Sequence, residues 1–134
     1  MGRILAIDYG KKRVGLAVSD RDRIIATALG TVSADTIFDF LDDYLIKEEV
    51  DEFVVGLAKQ MNNSFSESSV YIEPFVEALA KRYPDKKIIR IDERFTSKMA
   101  SQTILLSGIG KKKRRNKALV DTISAVIILQ SYMN

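Results

Sequence analysis

The stretch IDYGKKRVGLAVSD, residues 7–20, decides how the chain is read. An aspartate closes one apolar run, two glycines bracket a basic turn, and a second apolar run leads to another acid. Residues 3–9 (RILAIDY) and 13–19 (RVGLAVS) read as two strands of a hairpin joined across Gly10, Lys11 and Lys12. A polar turn at 20–23 precedes a third apolar run at 24–32, so the first three strands form an antiparallel meander.

Beyond residue 34 the hydrophobic period changes. Ile37, Leu41, Tyr44 and Leu45 share one face of a helix over 35–48. Residues 52–57 are a short apolar strand, and Ser64 with Glu67 fits a capping box that opens a helix at about 65–83. Residues 87–91 are a fifth strand. Thr96 is placed to cap a helix to about 107, and 118–133 is a last helix, apolar almost all round and therefore well buried. Strands 1, 4 and 5 alternate with helices, which requires parallel pairing, while the hairpin extends the sheet on the other side of strand 1. The expected fold is α/β, a mixed five-stranded sheet of order 3-2-1-4-5 with helices on both faces, in one domain spanning 1–134.

Composition narrows the chemistry. Apolar residues make up 46% and charged residues 29%, a globular mixture, and no apolar run approaches the ~20 residues that span a bilayer. No secretory leader pattern precedes the first strand, so the cytoplasm is the expected compartment. Cysteine and histidine are both absent. That removes disulfides, thiolate zinc sites and Ser-His-Asp hydrolysis. Proton or metal chemistry falls to carboxylates, Lys, Tyr or water.

In an open sheet of this order, ligands sit beyond the carboxyl ends of the parallel strands. Asp8 stands at the end of strand 1 and Glu93 just beyond strand 5, while Asp121 lies in an otherwise apolar helix. A carboxylate among apolar residues needs a partner, and a divalent cation shared by the three acids supplies one. An all-oxygen set suits Mg²⁺ or Mn²⁺. Two ions roughly 3.5–4 Å apart would hold attacking water and leaving oxygen in line at a phosphodiester. Taken singly, Asp8 reads equally as a turn residue, Glu93 as a partner of Arg94, and Asp121 as a charge near a helix N-terminus.

Positive charge is local. Residues 108–134 carry net +5 against +3 for the whole chain, leaving −2 on residues 1–107. The excess is Lys111, Lys112, Lys113, Arg114, Arg115 and Lys117, just ahead of Asp121. A cationic segment beside an acidic site suits capture of a nucleic-acid backbone. Lys11, Lys12 and Arg13 in the hairpin turn are further backbone contacts. Thr96, Ser97 and Lys98, at the opening of the expected helix, are others, with ordinary capping and solvation as the competing explanations.

These residues carry a resemblance to the YqgF/RuvX family, bacterial relatives of the RuvC resolvase with an RNase H-like fold. IDYGKKRVGLAVSD resembles its first motif, DERFTS (92–97) its Asp-Glu-Arg motif, and DTISAVIILQSY (121–132) its C-terminal helix motif. The resemblance covers nearly the whole chain and maps the family's proposed catalytic acids to Asp8, Glu93 and Asp121. Arg94 falls within the second motif and joins the expected nucleic-acid contacts. After strand 4 the chain departs: GLAKQMNNS has Ala58 where the family commonly shows Pro, and Asn62-Asn63 where it shows Asp-Gly. The resemblance implies a metal-dependent nuclease. Its substrate is precursor 16S ribosomal RNA or, in the alternative, a four-way DNA junction, for which a homodimer would be the natural partner. No dimer stripe stands out, which favours RNA. Two other classes compete: a nucleic-acid-binding module with structural acids, and an actin-like kinase or ATPase, which needs about twice this length.

Overall fold

The structure, a computed structural model, describes residues 2–10, 12–57, 69–92 and 117–133, with backbone alone described at 57, 69–71, 92 and 117–121. Within them run β1 (Arg3–Tyr9), β2 (Arg13–Ser19), β3 (Ala26–Ser33), a 3-10 turn (Ala34–Thr36), α1 (Ile37–Lys47), β4 (Val50–Leu57), α2 (Ser69–Arg82), β5 (Lys87–Asp92) and α3 (Lys117–Met133). The sheet order is β3-β2-β1-β4-β5, as the crossover argument requires. β1–β2 and β2–β3 are antiparallel, while β1–β4 and β4–β5 are parallel.

Strand alternation sends successive side chains of β1 to opposite faces. Leu5 and Ile7 join Val14, Leu16, Phe53 and Val55 against Ile37 and Leu41 of α1 and Ile72, Phe75 and Leu79 of α2. Ile4 and Ala6 join Ala17 and Val54 against Ala125, Ile128 and Leu129 of α3. Both faces of β1 are therefore dry, which is why its sequence is a continuous apolar run. Each fully buried Leu, Ile or Phe contributes roughly 1.5–3 kcal/mol of transfer free energy. The alanines on the α3 face keep that surface shallow, so the helix lies close to the sheet.

Two hydrogen bonds fix the direction of α3. Near its start, Thr122 Oγ1 meets Thr31 Oγ1 of β3 at 2.6 Å. Near its end, Tyr132 Oη donates to Glu52 Oε1 of β4 at 3.0 Å. Glu52 pairs with Ile4 at the beginning of β1. α3 thus runs antiparallel to β1.

The base of the sheet carries an ion network. Arg23 donates to Glu52 (3.0 Å), Asp51 (3.3 Å) and the Gly2 carbonyl (3.2 Å). It does so from a left-handed backbone, φ 59°. Ser19 is buried with both roles of its hydroxyl used, accepting from Ile4 N and donating to the Asp20 carbonyl.

β3 begins two residues later than its hydrophobicity suggests. Asp20 Oδ1 accepts from the backbone N–H of Ile24 (2.7 Å) and Ile25 (3.0 Å), holding them in the turn. Both stay in solvent, at 73% and 61% exposed. β4 starts at Val50 rather than 52. The Ser64–Glu67 capping box and the expected helix 96–107 lie outside the described residues.

Candidate functional site

Asp8 is the penultimate residue of the central strand and points to the α3 face, two positions beyond Ala6. It is partly exposed. Across the sheet its row continues to Gly15 of β2 and Thr31 of β3. On the other side, Ile7 pairs with Val55, so the next residue of β4 along that row is Gly56, itself paired with Ile91 of β5. Asp8 is therefore bordered on both neighbouring strands by residues that have no side chain, which lets backbone or a ligand come close on that face.

The backbone beneath Asp8 is fixed from the opposite face. The ring of the next residue, Tyr9, stacks on Phe75 of α2 with centroids 4.1 Å apart and 9° between planes. Gly10 N donates to the Arg13 carbonyl at 2.9 Å, closing the hairpin turn, and Ala34 N donates to the Lys12 carbonyl at 2.9 Å. A Cβ on Gly10 would fall 2.7 Å from the Arg13 carbonyl oxygen, so this turn admits glycine because of crowding.

Position 121 can be placed from the helix backbone. It lies four residues before Ala125 and seven before Ile128, the spacing of one helical face, and those two residues pack on the sheet beside Ile4 and Ala6. From Thr122 to Tyr132 the helix rises about 15 Å, while β1 rises about 13 Å from Ile4 to Asp8. The two spans match, so the start of α3 reaches the row of Asp8.

The remaining expected residues divide. Lys12 is exposed on the turn and Arg13 is half-buried at the start of β2. Lys117 is the first residue of α3, described by its backbone. Glu93 follows Asp92, the last residue of β5, and lies outside the described residues. So do Lys11, Arg94, Thr96, Ser97, Lys98, Lys111, Lys112, Lys113, Arg114 and Arg115, together with the divergent loop at 58–64. Among the described residues, no three acidic side chains converge as a metal cluster.

Two further charges near this end of the sheet are engaged elsewhere. Arg90, one residue before the Asp8 row and on the α2 face, forms a two-pronged bond to Glu73 at 2.8 and 3.1 Å. The Arg90 bond holds the Glu73 carboxyl below its ordinary range. Gly15 and Gly56 were visible in the sequence as glycines inside strands, the usual mark of a close approach. Thr31 carries no local signal, because its partner is 91 residues away.

A family model described as "RuvX: Holliday junction resolvase" matches residues 2–134. The chain belongs to the RuvX family. It is 59% identical over 134 residues to a Porphyromonas gingivalis protein named "Putative pre-16S rRNA nuclease", covering 100% of this chain and 97% of that protein. A Flavobacterium johnsoniae protein of the same name is 54% identical, again over 100% of this chain and 97% of its own length. Among solved structures, one titled "T. thermophilus RuvC in complex with Holliday junction substrate" superposes with a TM-score of 0.60 at 15% identity, covering 100% of this chain and 97% of that one. At that identity the likeness is one of fold, and the fold of this RuvX chain is the RNase H-like one.

Proposed function

We propose that this chain is a divalent-metal nuclease that hydrolyses phosphodiester bonds in precursor 16S ribosomal RNA. The observation that carries the reading is the antiparallel match of β1 and α3. It brings position 121 to the level of Asp8, on the face where glycines flank that carboxylate. In the sequence, Glu93 follows two positions after Ile91, whose side chain faces α3. The family membership and the names of its relatives support the same chemistry.

The donor set fits a hard cation. Asp8 offers carboxylate oxygens at a partly exposed strand end, and the chain has no histidine or cysteine to favour a softer metal. Asp8, Glu93 and Asp121 would hold Mg²⁺ or Mn²⁺, in a pair of ions. Bound there, the metal would activate water as nucleophile and neutralise charge developing on the phosphate. The protein's own part is positional. The Tyr9–Phe75 stack and the Gly10 turn hold the Asp8 backbone still. Lys12 and Arg13 on the turn, with the basic run at 111–117, engage backbone phosphates in a sequence-independent, salt-sensitive way. No described helix is long and apolar enough to cross a membrane, and the reading places the protein in the cytoplasm, where ribosomal RNA is processed.

The family description favours a second substrate, the four-way DNA junction, which would call for a homodimer to cut two strands. One experiment separates the readings: cleavage of precursor 16S RNA, a four-way junction and plain duplex by wild type and by Asp8→Asn, with Mg²⁺ or with chelator. RNA cleavage that vanishes in Asp8→Asn and in chelator is expected. Selective junction cleavage would favour the second substrate. Absence of cleavage with retained nucleic-acid binding would leave a binding module.

A further inference from the structure

We infer that the Thr31–Thr122 hydrogen bond is a positioning clasp for the metal site, setting how closely the start of α3 approaches Asp8. The inference rests on the reading of Asp8 and Asp121 as metal-holding residues. Its physical basis is a single row of the sheet. Asp8, Gly15 and Thr31 stand side by side on β1, β2 and β3, spanning roughly 9–10 Å from first to last. Gly15 in the middle presents no side chain, and Thr31 reaches the helix from the far side of that row through a 2.6 Å bond to Thr122.

Thr122 is the residue next to Asp121, so a change at the clasp is delivered to the carboxylate-bearing position within one residue. The lower attachment of the helix, Tyr132 on Glu52, lies eleven residues from position 121, about 16 Å along the axis. Both attachments tie α3 to the sheet through side-chain hydrogen bonds. Only the upper one sits at the site. A bond that served packing alone would be equivalent at either end, and this gives the inference a built-in control.

The test compares Thr31→Val, Thr122→Val and the double variant with Thr122→Ser and with Tyr132→Phe. Three quantities are read in each: melting temperature, Mn²⁺ affinity by calorimetry in the absence of substrate, and kcat and KM on the RNA substrate. The valine variants are expected to weaken Mn²⁺ binding and lower kcat roughly tenfold each, with KM unchanged, because small misplacements of a reacting group are costly in rate. The double variant should lose clearly less than the sum of the two single ones, since both remove this shared bond. Thr122→Ser should restore wild-type values, and Tyr132→Phe should lower the melting temperature while leaving Mn²⁺ affinity and kcat intact. The clasp is overturned if the valine variants lose melting temperature as Tyr132→Phe does but keep wild-type Mn²⁺ affinity and kcat. It is equally overturned if Tyr132→Phe impairs both as strongly as they do. Asp8→Asn run alongside isolates the underlying reading: if it binds Mn²⁺ and cleaves as wild type does, the site itself is misassigned.

Discussion

Replacing Gly10 by alanine tests whether the turn beside Asp8 has any slack. The added Cβ would stand 2.7 Å from the Arg13 carbonyl oxygen, whereas ordinary contact begins at 3.4 Å, so something must open by about 0.7 Å. The obstructing atom is backbone, and it cannot swing aside as a flexible side chain can. It also accepts the Gly10 N–H that closes the turn, and the adjoining Lys12 carbonyl is held by Ala34 N. Arg13 is itself paired with Ser33, so the displacement pulls on the start of β2. Overpacking and a weakened hydrogen bond together give a loss of about 2 kcal/mol. For a chain of this size that corresponds to a fall of about 6–10 °C in melting temperature. Asp8 lies two residues upstream, and a shift of some tenths of an ångström there should lower kcat roughly tenfold with little change in KM. Thermal unfolding and steady-state cleavage of the RNA substrate measure both effects. If Gly10→Ala melts within about 2 °C of wild type and cleaves at the wild-type rate, the reasoning that this turn fixes Asp8 is refuted.

Other perturbations have distinct signatures. Gly30 sits at φ +128°, and a Cβ added there would meet nothing within 4 Å, so Gly30→Ala should destabilise by about 1–3 kcal/mol through backbone strain alone, read by denaturant unfolding. Arg23→Ala should lose about 2–3 kcal/mol as Glu52, largely buried, is left with the Tyr132 hydroxyl. Arg23→Gly, which removes the same contacts but relaxes the left-handed backbone, should lose about 1 kcal/mol less. Burial, and then its bond to Asp42, push the Tyr83 phenol up to about 12 from an ordinary 10.0. Between those pH values the unfolded chain has released this proton and the folded chain has kept it, so stability falls as pH rises through the window. Tyr83→Phe should lack that segment of the pH–stability curve, and phenolate absorbance should lose one late-titrating component relative to wild type.

Much of this architecture was legible because its causes are local. The switch from alternating to helical periodicity near residue 34, and the helices between strands 1, 4 and 5, were enough to order the sheet. The two isoleucines at 24 and 25 misled because hydrophobicity cannot register that an aspartate four residues upstream captures their N–H groups. Asp8 was legible as an acid ending an apolar strand on the side where ligands bind. The features that hold it were not. The stacking of Tyr9 on Phe75 and the pairing of Thr31 with Thr122 join residues far apart in sequence, and no spacing rule announces them. Arg23 in a left-handed conformation is similar, since its contacts with Asp51, Glu52 and Gly2 exist only after the sheet has formed.

The placement of α3 bears on how far this protein can be trimmed. Its residues Ala125, Ile128 and Leu129 cover Ile4, Ala6, Ala17 and Val54, small or branched side chains that leave a smooth, water-averse surface when uncovered. A fragment ending before Lys117 would present that surface at the middle of its sheet, beside unshielded strands that readily stick to their own kind. Such a fragment should precipitate rather than persist as a soluble clamp for nucleic acid. On the proposed reading, solubility and catalytic competence are then acquired in one event, the docking of the same seventeen residues.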